Sequence, residues 1–520
     1  MPENRHRRSP QNRPASPQTA VRLDGGPLLP RDLARVARDA APVRLAPAAV
    51  HAVAASRERL ERATRDGQPH YGVNTGFGSL ARVRVPDQQL ADLQRNLIRS
   101  HAAGVGDPLP DDVVRGMMLA LAASLARGRS GVRPAVVRTI IDCLNHRLTP
   151  LVPEVGSVGA SGDLAPLAHV AFALIGEGHF RTPDGRTHPA ARILRQHGLT
   201  PLELQAKEGL ALINGTHLMA ARAALLLHDL DRLFNAALAA AAMSIDACRA
   251  TDQFLSPHAA DLRRHAGTAA VAQRLRALLT GSTIIPSHRD DDPRVQDPYS
   301  LRCMPQVLGA VHDAIERFRP AVLAELDAVT DNPLILPDGS LVSAGNFHGM
   351  PIALPLDQIT PAIAHLAGIS ERRSFLILAA ADPEAHLRPY LSPHPGVSSG
   401  LMIAQYAAAA CCNEIIALAA PASVANLSTC AGMEDYNSFG PRAAAKADRA
   451  LRLARYVVAV ELLCAAQAIE FHRPLRSGRA VERAHAFIRQ AVPPLTKDRP
   501  PAADTEAIAA LIASGHFDTL

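Results

Sequence analysis

EGLALINGTHLMAARAALLLHDLDRLFNAALAAAAMSIDACRA, residues 208–250, is apolar on nearly every face, with only occasional charges such as Asp229, Asp231 and Arg232. A helix of that character belongs inside a bundle rather than on a surface, so the stretch predicts one very long buried helix. Further long helices are predicted over 305–328, 355–380, 400–419 and 441–471. Composition points the same way. The chain of 520 residues is 48% hydrophobic but only 3% aromatic and has no Trp, so its core must be built from closely packed Ala, Leu, Val and Ile, which favours helix over sheet. The run 401–420 is apolar enough to raise a membrane span. Gln405, Asn413 and Glu414 would then sit in lipid at a cost of several kcal/mol, and a buried bundle helix is expected instead.

Ahead of the bundle the chain is more broken. Residues 21–26 predict a short strand and turn, 31–39 a helix, and from there to about residue 201 short helices alternate with Gly and Pro. The expected division is a tail over 1–20, an N-terminal domain over 21–205, a central long-helix bundle over 206–475 and a C-terminal helical region over 476–520. The tail is rich in Arg, Pro, Gln and Ser without an apolar run, which predicts disorder and excludes a secretory signal. Net charge is +6, much of it from Arg5, Arg7, Arg8 and Arg13 in that tail, so no basic face for nucleic acid is expected. Seven cysteines, odd in number and without a C-x-x-C pair, argue for a reducing, cytoplasmic setting, with Cys411 and Cys412 as core residues. No His and carboxylate spacing suggests a metal.

Two polar loops interrupt the N-terminal region. Gly156-Ser157-Val158-Gly159-Ala160-Ser161-Gly162-Asp163 reads in two ways. It is either a glycine-rich loop in which Ser161 or Asp163 caps a helix starting near Leu164, or a backbone able to cyclise. In the second reading the Gly162 nitrogen, unhindered by a Cβ, attacks the carbonyl two residues back, and loss of water from Ser161 leaves a methylidene. The glycine spacing fits neither a dinucleotide fingerprint nor a P-loop. The other loop is Tyr71-Gly72-Val73-Asn74-Thr75-Gly76-Phe77-Gly78, and much later Gln296-Asp297-Pro298-Tyr299-Ser300-Leu301-Arg302 places a second tyrosine beside an arginine.

With Ala160-Ser161-Gly162, these segments closely resemble the aromatic amino acid lyases that carry a methylideneimidazolone group, nearest to the histidine-acting members. The match runs from about residue 21 to the C-terminal region, with further pieces at 93–104, 207–216, 330–334, 345–348 and 433–435. The resemblance implies an all-α long-helix bundle of the fumarase/aspartase-like superfamily with a smaller mixed N-terminal region, although the G-S-x-x-M-P-x-K-type loop of the fumarase and aspartase enzymes is absent. It implies a prosthetic group, 4-methylidene-imidazol-5-one, made from Ala160, Ser161 and Gly162 with no external cofactor. It also implies a homotetramer whose active sites draw on three subunits, acting on a small amino acid and needing neither metal, membrane nor nucleic acid.

Ammonia is a poor leaving group and the β-proton of an amino acid is weakly acidic. An electrophile supplied by the protein answers the first problem and a base the second. The resemblance assigns Tyr71 as base and Tyr299 as stabiliser or proton relay, an order that residue types alone leave open. A tyrosine so used must be poised by positive charge or hydrogen bonds. Arg302 matches the substrate carboxylate with a planar pair of bonds, Asn214 holds the prosthetic group and substrate, and Phe347 packs nearby. His101 matches the histidine-acting members, although some tyrosine-acting aminomutases carry histidine there too; Gln296 and Glu434 match the histidine-acting version, which implies conversion of L-histidine to urocanate. The departures are Cys430-Ala431-Gly432-Met433 in place of Ser-Ala-Asn-Gln, His217 and Met304 in place of glutamines, and Tyr436 after Asp435. They keep a tyrosine or other aromatic ammonia-lyase or 2,3-aminomutase open as the alternative, with a non-catalytic scaffold as a third.

Overall fold

A computed structural model describes residues 19–520; the predicted disorder of the tail falls almost wholly outside them. Strand β1 (Val21–Leu23) pairs in parallel with β2 (Val43–Leu45), and α1 (Pro30–Asp39) crosses between them. Then come α2 (Leu90–His101), α3 (Asp111–Ala126) and α4 (Leu164–Leu174), with two small sheets near them. One pairs Val105–Pro108 with Pro153–Val155, and the other orders Thr149–Pro150, His179–Arg181 and Thr187–Pro189.

The stretch expected as one helix over 208–250 is two. A short α5 (Glu208–Ile213) ends at Asn214, and α6 (His217–Ala247) begins after Gly215 and Thr216. Apolar periodicity runs through both helices and hides the break, whose cause is Gly215 at φ +127°, outside the range of other residues. Among the elements that follow are α7 (Tyr299–Arg302), α8 (Met304–Leu326), α9 (Met350–Ala379), α10 (Met402–Leu418) and α11 (Gly440–Ile469). Helix α9 starts five residues before the predicted Pro355, with Pro351 in its first turn where a missing N–H costs nothing. Near the C-terminus α12 (Pro501–Ala513) packs against α11 and α6.

Helices α6, α8, α9, α10 and α11 form the bundle, with α9 running along α11 and α6 beside both. Most of α6 is buried, and its alanines let neighbouring backbones approach closely. One buried polar clamp crosses three helices. Glu461 of α11 takes two bonds from Arg373 of α9, at 2.5 and 2.8 Å, and hydroxyl bonds from Ser244 of α6 and Ser370 of α9. A carboxylate so fully satisfied ties the register of α6, α9 and α11 to one arrangement.

Helix α10 departs from its expected burial. Only Ala404, Ala408 and Ile415 are buried, while Ile403, Tyr406 and Ile416 face outward, and Cys411 and Cys412 are half-buried against the core. The apolar character of 401–420 therefore serves two faces, one against α11 and α9 and one uncovered in the single chain. Among the described residues one helix, α9, is long and apolar enough to cross a membrane, and half of its apolar window is buried.

Candidate active site

Three helix starts meet at the Ala160-Ser161-Gly162 loop. Asp163 precedes α4, an isolated bridge joins Gly162 to Gly215 just before α6, and Ser438 and Phe439 before α11 bond back to the carbonyls of Gly159 and Val158. The N-terminal ends of these helices place partial positive charge around the tripeptide. Asp163 does not cap its own helix, as one reading of the loop expected. Its Oδ2 accepts from the Leu218 and Met219 amides, at 2.9 and 3.1 Å, and so caps α6 across the loop. Burial pushes this carboxyl up to about 7, against the opposing pull of those two amides and of the Ser157 hydroxyl.

The tripeptide fits the prosthetic group that its sequence implies. Gly162 sits at φ +73°, and a Cβ there would fall inside the backbone of Gly215. The loop is held at both ends, with the Asp163 amide donating to the Gly215 carbonyl at 2.7 Å and the Gly215 amide to the Ser161 carbonyl at 3.2 Å. Asn214, placed by the break between α5 and α6, donates through Nδ2 to Asp331 and to the Asn332 carbonyl, at 3.1 and 3.0 Å. Its Oδ1 is buried without a partner among the described residues, an acceptor left for a group in the cavity. Asp331 is fixed in turn by Lys207 at 2.6 Å in a fully buried pair.

These residues line a cavity of about 730 Å³ that brings together Tyr71, His101, Ser161, Asn214, Phe347 and Glu434. Ser161 donates to Glu434 Oε1 at 3.3 Å, and Thr429 donates to Oε2 at 3.0 Å. His101 is at the end of α2, where Nδ1 donates to the Leu97 carbonyl at 2.9 Å. That bond selects the tautomer and leaves Nε2 as an acceptor. Burial lowers the affinity of His101 for a proton, partly offset by Leu97 and Glu434. Tyr71 takes a long bond from the Gly78 amide, 3.4 Å. Burial raises its phenol, the Gly78 amide lowers it, and Glu434 and Cys430 raise it further, so no cation among the described residues poises it as a base.

Gln296, Tyr299 and Arg302 are not part of this cavity. Gln296 is exposed, and Tyr299 is 71% exposed at the start of α7. Arg302 stacks on the Tyr299 ring at 4.6 Å and donates through Nε to the Asp297 carbonyl. The three come from one segment, 296–302, which contributes nothing to the cavity lining.

Several site residues were not singled out from the sequence: Lys207 and Asp331 behind Asn214, Asp163 as the cap of α6, and Thr429 behind Glu434. The segments 207–216 and 330–334 did stand out as motif-like, but the pairing across 124 positions is a property of the fold. Of the departures, Cys430 and Met433 line the cavity. His217 is buried at the start of α6 and is pushed down to about 4 by burial.

Comparison with known proteins gives a consistent result. A family model described as aromatic amino acid lyase matches residues 28–490. A histidine ammonia-lyase of Deinococcus radiodurans is 48% identical over 465 residues, 89% of this chain and 88% of that protein. Among solved structures, histidine ammonia-lyase from Trypanosoma cruzi is 37% identical with a TM-score of 0.89, covering 96% of this chain and 94% of that one. Tyrosine aminomutase from Streptomyces globisporus is 34% identical with a TM-score of 0.90, covering 96% and 98%.

Proposed function

The chain belongs to the aromatic amino acid lyase family and is a carbon–nitrogen lyase, and from that premise we propose that it eliminates ammonia from L-histidine to give urocanate. The observation that carries the substrate is the pairing of His101 and Glu434 in one cavity with Ser161. A neutral imidazole with Nε2 free accepts the single N–H of a neutral substrate imidazole, and a carboxylate accepts the second N–H that the ring gains in its charged form. The high identity to histidine ammonia-lyases over most of the chain supports the same substrate.

The prosthetic group formed from Ala160, Ser161 and Gly162 supplies an electrophilic carbon for the substrate amine. Asn214 Oδ1 orients the reacting end through its free acceptor. Tyr71 takes the β-proton. Because burial and acidic neighbours hold its phenol high, it requires a cation from elsewhere, and Arg302 of a second copy provides it while gripping the carboxylate. Tyr299 and Gln296 come with Arg302 on the same segment. Phe347 forms part of the apolar wall.

This arrangement calls for a homotetramer with shared sites. Support comes from the outward apolar side chains of α9 and α10, including Leu354, Phe375, Ile403, Tyr406 and Ile416, a face that an isolated chain does not ordinarily leave uncovered. The decisive assay incubates purified protein with histidine, tyrosine, phenylalanine and tryptophan and separates the products by mass and position of the amine. Urocanate from histidine supports the reading, and its absence ends it. The second reading, an aromatic 2,3-aminomutase, is favoured by the likeness to tyrosine aminomutase together with Cys430 and Met433 in the cavity wall. It requires a β-amino acid product instead of an accumulating acrylate.

A further inference from the structure

A second cleft, of about 600 Å³, shares no residue with the Ser161 cavity and opens where the end of α1, the first turn of α3, the N-terminal half of α6, the middle of α11 and the end of α12 meet. Five arginines line it: Arg38, Arg222, Arg232, Arg452 and Arg455. Four of them are committed. Arg38 is held by Asp112 and Asp229, at 2.9 and 2.5 Å, and Arg455 reaches the same Asp229 at 3.4 Å. Arg452 pairs with Asp448 at 3.1 Å, and Arg232 donates to the Ala513 carbonyl at 2.6 Å beside Asp518. The remaining carboxylate of the lining, Asp39, is exposed to solvent.

Arg222 is the exception. It is only 8% exposed, and its guanidinium makes no hydrogen bond or ion pair with any described residue; its Nε is enclosed without a partner. Asp448, the carboxylate that pulls on it most, is already paired with Arg452. A buried guanidinium without a paired counter-charge is strongly unfavourable, because it has lost its hydration and gained little in return. Its planar donors suit an oxyanion. Arg452 and Arg455, two positions on one helix facing the same cleft, add charge at the mouth while each keeps its own carboxylate partner, and the Arg452 side chain is about half exposed. The cleft is also larger than a bare oxyanion requires.

We propose that this cleft is a phosphate-binding site, taking free phosphate or the phosphate of a small monoester, with Arg222 as the buried anchor and Arg452 and Arg455 adding positive charge at its mouth. The test is thermal unfolding of the whole enzyme titrated with inorganic phosphate or with AMP, against potassium chloride at matched ionic strength. The Tm should rise with the logarithm of phosphate concentration and not with chloride. AMP acting at lower concentration than phosphate identifies a monoester as the ligand, and AMP acting only at higher concentration identifies free phosphate. Arg222→Met should weaken the apparent affinity about tenfold or more, the value of one charge-assisted contact. Should that variant fail to fold, Arg452→Gln at the exposed rim should still weaken it severalfold. A Tm that follows ionic strength alone, or variants that respond to phosphate as the wild type does, would overturn the proposal.

Discussion

The Ser161 cavity and the Tyr299–Arg302 segment carry equally specific sequence motifs, but the chain treats them differently. In the first, Tyr71, His101, Asn214 and Glu434 arrive from four separate parts of the sequence and line one cavity. In the second, the exposed Tyr299 and the half-buried Arg302 stack on each other outside that space. Residues anchored on the chain's own core are assembled by folding alone. Tyr299 and Arg302 stay outside that space, and Arg302 is the cation proposed to reach Tyr71 and a carboxylate from a second copy.

The largest expected effect concerns the Ser161 cavity. Ser161→Ala removes the electrophile and should lower kcat by at least about 10³-fold, while the peptide containing residues 160–162 keeps its unmodified mass; the wild-type peptide should be lighter by two waters. Turnover unchanged by this substitution would remove Ser161 from the chemistry.

Breaking the exposed half tests the division directly. Arg302→Met should reduce kcat/KM by roughly 10- to 100-fold through the lost charge-assisted contact, and should move the alkaline rise of activity to higher pH because the Tyr71 phenol loses its cation. Co-expression of the Ser161→Ala and Arg302→Met chains should recover roughly a quarter of wild-type activity, the statistical share of sites that draw both intact groups from different protomers. Recovery of none would place both residues in one chain's site.

A smaller effect is expected at the specificity end of the cavity. His101→Phe should shift preference from histidine toward phenylalanine by about 10- to 100-fold in the ratio of kcat/KM. Unchanged selectivity in the substrate panel would take His101 out of that role.

The smallest effect is on stability. Because burial raises Asp163 to about 7 in the folded chain, the native state binds a proton that the unfolded chain releases near pH 4. Stability should therefore fall as pH rises from about 4 to 7, with a slope of at most about 1.4 kcal/mol per pH unit from this group. Asp163→Asn keeps an acceptor for the α6 amides and should flatten that slope in urea melts at stepped pH.

Much of this was legible in the residues. The apolar runs marked α8, α9, α10 and α11 to within a few positions, since a buried helix needs an apolar side chain on almost every turn. The same signal missed the gap at Asn214-Gly215-Thr216, because a three-residue interruption between two buried helices leaves hydrophobicity nearly continuous. It also overstated the burial of α10, since a face that its own chain covers and one that its own chain leaves exposed are written in the same residue types. In the site, Tyr71, Ser161, Asn214 and Glu434 were readable from local motifs. Lys207 behind Asp331 and Asp163 capping α6 were not, because each depends on which distant segment lies opposite.

The sequence by itself determined the reaction class and the helical architecture, for both rest on local chemistry: a glycine-flanked serine that can be activated, and helices whose apolar faces demand a bundle. Only the tertiary structure decided which of the named residues share a space. Side chains far apart in the chain are brought together by packing across α4, α6 and α11, and the same packing leaves Arg302 outside and Arg222 buried without a paired counter-charge.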